Sequence, residues 1–371
     1  MSTVSLIDVA KSAGVSVTTA SVVLSRGKQF NRISVTCRAK VEETAKRLGY
    51  VPNYPMRHAR LGKVQAMGFL LHTRRPSGAA QLTSNQSNDY FLRLLDGVIV
   101  GALESEMSVM SIHRSENRSA FDRGIRGVQG RLVDGLIVPG VLEGFAESSL
   151  VQPDVPKVPI VVVESFLDTL VPCVNPDPGR AMKLSVSHLA ELGHRHIFWV
   201  GPAVQKRSVK PAFHDVDRER LLLEACAETG MRLTRLYLPQ PTTREIDYDL
   251  RMKDAHDCIV AGIAEHGTSA TAAICFNDLV AVGVMRGLLS QGIAVPRDFS
   301  VIGYDNSYSR FTIPGLTSID QGLFQIGRRA ARLVVDMADG GIEAVDAMRG
   351  RVELIEPLLV VRESTGPKRD R

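Results

Sequence analysis

Apolar positions in the first fifty residues recur with a helical period. Leu6, Val9, Ala10 and Ala13 fall on one face of a first helix, and Ala20, Val23 and Leu24 on one face of a second. Ser5 is placed to cap the first helix, with Asp8 three residues later completing a capping box. Gly14 follows where a helix end needs a left-handed residue, and Ser16 caps the second helix. Small residues at Ala10, Gly14 and Ala20 let the two helices approach closely, which is the physical content of a helix-turn-helix. A third helix fits Ser34 to Leu48, with Val41, Ala45 and Leu48 inward; Gly49 ends it and Pro52 prevents its continuation.

From Val64 onward the pattern changes. Strand-like apolar runs are VQAMGFLL, MSVMSI, DGLIVPG and PIVVVES, then HIFWVG, RLYLP, TAAICFN and FSVIGYD. Helical patterns lie between them near 91–106, 119–131, 179–192, 217–230, 251–265 and 278–291. Short buried strands joined by helices predict doubly wound parallel sheets. The two sets predict an α/β body of two similar lobes with a ligand cleft between them, the ligand lying beyond the carboxyl ends of strands.

Composition adds a direction to this picture. The chain has 371 residues, 44% hydrophobic and 23% charged, too long for one ordinary domain. No stretch approaches about 18 uninterrupted apolar residues, so no membrane span is expected. The first residues lack a secretory pattern, and the five cysteines (Cys37, Cys173, Cys226, Cys258, Cys275) show no metal-ligand spacing. Reduced thiols in a cytoplasmic protein, with no metal and no cofactor, is the expectation. The formal charge of +5 is uneven: residues 1–63 hold eleven Lys/Arg against three Asp/Glu, or +8, and the remainder carries −3. A basic head on a mildly acidic body points to a polyanion as partner.

The outward residues of the second helix are Val17, Thr18, Ser21, Val22 and Ser25, where a solvated helix would carry Lys, Glu or Gln. Exposed valines cost hydration unless something covers them. A DNA major groove does so, because valine suits thymine methyls while Thr18 and Ser21 bond to base edges or phosphates. The bland alternative is a helix packed against another part of the protein. No arginine lies on this face, so readout is weighted to thymine methyls and DNA shape. Arg26, Lys28, Arg32 and Arg38 suit phosphates.

Residues 3–63, through LIDVAKSAGVSVTTASVVLS and VEETAKRLGYVPN, resemble the DNA-binding head of the lactose-repressor (LacI) family. The resemblance continues through HLAELGHRHIFWVG, AICFNDLVAVGVMRGLLSQGIAVPRDFSVIGYDN, IPGLTSIDQ and LLVVREST. It implies that the second helix enters the major groove of a near-palindromic operator, with base-reading positions on Val17, Thr18 and Val22. Ser5, Ser16, Ser21, Ser25 and Arg26 complete the DNA-facing set on the head. Residues 52–63, PNYPMRHARLGK, match the family's hinge helix, in which Asn53, Arg57, Ala59 and Arg60 face DNA. The family's minor-groove leucine falls on Ala59. Leu61 is about 200° further around a helix, so Met56 or Leu61 wedges instead, or the operator is kinked less. A plain flexible linker is the alternative.

For the body, the resemblance implies a fold like periplasmic sugar-binding proteins. Residues 1–51 form the head, 52–63 the hinge and 64–371 the body. Lobe 1 is expected over about 64–174 and 321–350, and lobe 2 over about 175–320 and 351–363, with chain crossings near 175, 320 and 350. Effector positions carried over are Tyr90, Phe91, Arg220 (or Arg218), Asn277 and Asp305. Arg, Asn and Asp converging in a cleft suit a ligand with several hydroxyls. Alternatively Phe91 only begins a core face, Asp278 only caps a helix, and Asp305 only ties down a turn. Glu164 stands where the family often has an aspartate, NPDPGR is unusual at the crossing, and the polar loop 73–88 is longer than usual.

Rival functions fare worse. An enzyme is not expected, since no GxSxG, GxxxxGK[ST] or HExxH motif occurs, and His194 and His196 fall at a helix end and strand start. A solute-binding protein would not carry the basic head, and a DNA-only architectural protein would not need the two-lobed body. The expectation is a DNA-binding transcriptional repressor. Its partners are a double-stranded operator, a small-molecule effector of the carbohydrate class and a second copy of itself, because one head reads only a half-site.

Overall fold

The computed structural model describes residues 4–25, 29–51, 63–71, 88–113, 120–140, 157–164, 170–203, 215–239, 248–267 and 269–369. Arg26, the hinge positions Asn53, Arg57, Ala59 and Arg60, and loop residues 73–87 lie outside these, as do the side chains of Tyr90 and Tyr248. The chain divides into two units, Met1–Val64 and Gln65–Arg371.

The first unit is three helices: α1 (Leu6–Ala13), α2 (Val17–Ser25) and α3 (Val35–Leu48). The caps fall where the sequence predicts them. Asp8 N–H donates to Ser5 Oγ, Ser5 N–H donates back to the Asp8 carboxylate, and Gly14 and Gly49 close α1 and α3 with positive φ. Val9, Ala10, Ala13, Ala20, Val23, Val41 and Ala45 form the core, with Leu24 and Leu48 only partly buried at its edge. A core this small depends on the fit of alanines between helices, so its capping bonds, each worth about 1 kcal/mol, matter to it.

The second unit holds two six-stranded sheets. The first contains β1 (Ala66–Leu71), β2 (Ser108–His113), β3 (Gly135–Pro139), β4 (Ile160–Val163), β5 (Cys173–Pro176) and β11 (Val352–Ile355), in the order 11-5-4-3-1-2. The second contains β6 (His196–Pro202), β7 (Arg232–Leu238), β8 (Ala272–Cys275), β9 (Ser300–Tyr304), β10 (Thr317–Asp320) and β12 (Leu358–Val360), in the order 12-10-9-8-6-7. All neighbours are parallel except β12, which runs antiparallel to β10. The two lobes are therefore wound alike through their first five strands and differ in the direction of the sixth. β3, β4, β8 and β9 are buried along their whole length, as parallel strands covered on both faces must be.

Helices α4 (Asn88–Leu103) and α5 (Ala120–Gln129) belong to the first lobe, and α6 (Pro178–Glu191), α7 (Asp215–Thr229), α8 (Tyr248–His266) and α9 (Asp278–Ser290) to the second. The long α10 (Leu323–Ala347) returns to the first lobe, where Leu323, Ile326, Ala330 and Val334 pack against Leu94, Val98 and the strands. The crossing near 175 falls after Pro176, where Asp177 caps α6 and Pro178 starts it. The crossing near 320 follows β10. The third crossing needs correction: β11 pairs with β5 in the first sheet, so the chain returns to lobe 2 at 356–357 and not near 350. Edge strands of four and three residues carry too little apolar pattern to announce their sheet.

Glycines set the closest helix approach. A Cβ at Gly97 of α4 would strike the Phe324 carbonyl of α10, and one at Gly327 would strike the Leu94 carbonyl. Gly97→Ala must push the two helices apart, and is expected to cost about 1–3 kcal/mol. Thermal unfolding followed by circular dichroism checks this, with Gly292→Ala, whose Cβ would meet open space at positive φ, reporting backbone strain alone.

Candidate functional site

On the head, the residues read as the outward face of α2 differ in exposure. Val17 is 44% exposed and Thr18 is exposed, while Ser21, Val22 and Ser25 are half-buried. Val22 is not among the apolar residues packed on the head core. Ser16 is committed to its cap: its Oγ accepts from Thr19 N–H at 3.0 Å and bonds to Thr19 Oγ1 at 2.8 Å. Ser5 is likewise held by Asp8 at 2.6 Å. These serines build the helix starts, whose free N–H groups favour anions. Arg38, expected to suit phosphate, lies over the Phe30 ring at 4.6 Å.

The body offers a second site, where the carboxyl ends of the two sheets meet. The winding reverses between β1 and β3 and between β6 and β8, so segments following those strands line the meeting point. From lobe 2 come Arg218 on α7, Phe276 and Asn277 after β8, and Tyr304 and Asp305 at the end of β9. From lobe 1 come Glu164 after β4 and Arg93 on α4.

Arg218 is the centre of the group. Its guanidinium lies 3.7 Å from the Tyr304 ring centroid and 4.8 Å from that of Phe276, and donates to the Phe276 carbonyl at 2.7 Å. Stacking on two ring faces holds a weakly hydrated planar cation in a nearly dry place. The effector arginine carried over as Arg220 must be corrected. Arg220 points outward, 56% exposed, and pairs with Glu224 one turn on at 2.6 Å. Two residues along a helix is about 200° of rotation, so only one of the pair can face the cleft.

Asn277 is the cap of α9, its Oδ1 accepting from Val280 N–H at 3.0 Å. The alternative that Asp278 only caps a helix is therefore wrong. Asp278 is buried, accepting from Ser318 Oγ at 2.6 Å and Ser307 N–H at 2.8 Å, which ties β10 and the loop after β9 to α9. Burial raises its pKa to about 6 against those bonds. Asp305 does tie down a turn, through Gln321 Nε2 at 2.6 Å, and lies in the field of Arg218. Burial raises it to about 7 although Arg218 pulls the other way. Glu164 is 2% exposed, and burial and the Asp305 carboxylate push it up to about 8.

Arg93 joins the lobes, and sequence reasoning missed it. From α4 it donates to the carbonyls of Asp305 at 3.0 Å and Asn306 at 3.3 Å, and pairs with Asp320 at 2.5 Å. Its signal was faint: a charged residue two positions after Phe91, which is half-buried at the start of the same helix. Both nitrogens of His194 bond within lobe 2, to Thr271 at 2.7 Å and to Ser300 and the Gly366 carbonyl at 3.1 Å, so this histidine bolts the C-terminal segment down.

A carboxyl whose folded pKa is raised holds a proton that the unfolded chain has already released. Stability then falls as pH rises from about 4.3, the unfolded value, to about 8 for Glu164. Glu164→Gln removes that loss. The stability of the variant minus that of the wild type is expected to grow between about pH 5 and pH 8, measured by urea unfolding of the full chain at several pH values. His188, His194 and His196, whose pKa values burial lowers, act with the opposite sign but equally in both proteins. A difference that stays flat with pH contradicts the assignment.

Residues 186–365 match the periplasmic binding protein-like domain, and residues 5–53 match the bacterial regulatory proteins of the lacI family. An HTH-type transcriptional repressor, PurR, of Mannheimia succiniciproducens is 26% identical over 365 residues, spanning 96% of this chain and 97% of its own. Among solved structures, the lac repressor dimer bound to operator and the anti-inducer ONPF superposes with a TM-score of 0.70 at 22% identity, covering 98% of this chain and 100% of that one. The complex of the transcriptional regulator CelR with cellobiose reaches 0.58 at 23%, covering 97% and 99%. With a capped helix-turn-helix followed by two similarly wound lobes, the chain joins a DNA-binding domain of the lacI family of bacterial regulatory proteins to a periplasmic binding protein-like domain.

Proposed function

We propose that this chain is a transcriptional repressor that binds a double-stranded operator as a homodimer and responds to a sugar or sugar derivative held between its lobes. The observation that carries this is the pairing, on one chain, of a basic head with exposed Val17 and Thr18 and a body whose two lobes bring Glu164, Arg218 and Asp305 to one point. The first part has the chemistry of groove recognition. The second has acceptors and a fixed cation for a ligand rich in hydroxyls. CelR, a fold neighbour, is solved with cellobiose.

Exposed apolar residues support the dimer. Leu92, Ile99 and Leu103 lie on one outer face of α4, and Leu289, Phe311 and Ile313 are exposed on lobe 2, Ile313 at 97%. Such residues in a regulator that must read two half-sites suit a second copy of the chain. The lac repressor is solved as a dimer on its operator. No single helix among the described residues is long and apolar enough to cross a membrane. A cytoplasmic protein that acts by binding, without catalysis or cofactor, fits the whole.

The mechanism follows from the clasp. Effector entering the cleft changes the angle between lobes, and operator affinity follows with a coupling of about 1–3 kcal/mol. A saturating effector, at about 100 times its dissociation constant, is expected to stabilise the chain by about 2.7 kcal/mol. A thermal-shift screen with sugars, sugar acids, polyols and nucleobases reads this. The shift is expected to vanish in Arg218→Ala and to persist in Arg220→Ala; the reverse pattern overturns the cleft. On DNA, Val22→Ala is expected to change the preferred half-site in a selection from random palindromes. The operator dissociation constant is expected to weaken steeply with salt, by about 0.9 in the log–log slope per phosphate contact.

A further inference from the structure

Among the described residues, the charges at the cleft do not balance. Four carboxylates, Glu164, Asp278, Asp305 and Asp320, meet three guanidiniums, Arg93, Arg218 and Arg362. Two of the acids have partners of their own. Asp320 pairs with Arg93 and accepts from Asn306 and from Gly322 N–H. Asp278 is held by Ser318 and Ser307 N–H and lies in the field of Arg362. Asp305 accepts from Gln321, and it and Glu164, from opposite lobes, share the charge of Arg218, whose ring faces and one N–H are already committed.

Glu164 Oε2 has no hydrogen-bond donor among the described residues, though the residue is 2% exposed. Tyr304 is equally enclosed, and its hydroxyl lies in the field of both Glu164 and Arg218. Glu164 and Asp305 both hold positive φ, 56° and 100°, which a residue other than glycine adopts only when its surroundings require it. An unmet buried acceptor and a left-handed backbone at the same point mark a ligand position, since ordinary packing would satisfy or remove such groups.

We propose that the effector is an amino sugar, whose protonated amine lies between the carboxylates of Glu164 and Asp305. This rests on the reading that the cleft takes a sugar-class effector. A neutral sugar supplies donors but leaves Glu164 in its protonated form, with no cation for its carboxylate. A sugar acid or sugar phosphate enlarges the surplus. An ammonium brings one positive charge and three donors on a compact centre, which is what two facing carboxylates with one shared arginine lack. The sugar hydroxyls are then left to Tyr304 and the Asn277 amide. In the ligand-free cleft the surplus is met by a proton, because Glu164, at about 8, is mostly protonated at neutral pH. The arriving ammonium displaces that proton to the buffer. Entry requires the lobes to part, which breaks the three bonds of Arg93.

Isothermal titration calorimetry on the full chain at pH 7 tests this with D-glucosamine and D-galactosamine, their neutral parents D-glucose and D-galactose, and the N-acetylated forms. Two buffers of different ionisation enthalpy report proton release. One amino sugar is expected to bind at least about tenfold more tightly than its parent and its N-acetyl form, the usual margin of a charged over a neutral hydrogen bond, with proton release. Glu164→Gln is expected to reduce that affinity to the parent's level and to lower the proton release, with thermal unfolding of the full chain confirming that the variant is folded. Asp305→Asn is expected to reduce the same preference, and serves where the first variant fails to fold. A neutral sugar binding as tightly as its amino counterpart overturns the amine while leaving the sugar cleft standing. No binding by any of the six overturns both.

Discussion

One buried guanidinium organises the body of this protein. Arg218 is held by two aromatic faces and a carbonyl of lobe 2, and its charge is felt by a carboxylate from each lobe. Without it, Glu164 and Asp305 would be two like charges in a nearly dry interface, an arrangement that costs far more than a hydrogen bond returns. The structure offsets the remainder with a second arginine. Arg93 crosses from lobe 1 to the carbonyls of Asp305 and Asn306, so the segment that carries the cleft aspartate is also the one that clasps the lobes together. Ligand recognition and lobe closure therefore involve the same few residues, which is the condition for a ligand to shift one arrangement against another.

The similar winding of the two sheets explains why these groups meet. Each lobe reverses direction at the same place, and each presents the loops after its strands to the other. The glycines between α4 and α10 keep the first lobe's helices close, so α4 is a rigid arm for Arg93. In lobe 2, Asp278 ties α9, β10 and the loop after β9 into one block.

Much of this was legible in the sequence, and the failures have physical causes. The head's caps, its alanine core and the exposed valine and threonine of α2 follow from short-range spacing, which a single sequence carries in full. Eight strands stand out as apolar runs. β5, β10, β11 and β12 do not: polar residues or proline interrupt β5, β10 and β11, β12 has three residues, and β11 exposes Val352 and Leu354, so the third crossing falls a few residues later than the sequence suggests. The choice between Arg218 and Arg220 turns on the rotational phase of α7, which apolar spacing near a helix start does not determine. Arg93 and Glu164 matter only because two distant segments face each other across the cleft, and no local pattern encodes that. The hinge positions Asn53, Arg57, Ala59 and Arg60 and the residue Arg26 lie outside the described residues.

The central claim is that the state of the cleft governs the head. Arg93→Ala removes the clasp without touching either the DNA-reading face or Arg218. Fluorescence anisotropy should be used to titrate the full-length wild type and variant, both without effector, onto one operator selected from a random palindromic library. The account predicts a shift in dissociation constant of about 5-fold or more, the lower end of ordinary allosteric coupling, with unchanged affinity for random-sequence DNA. Identical operator affinities in the two proteins would contradict it, leaving the two lobes as a body that binds ligand without consequence for DNA.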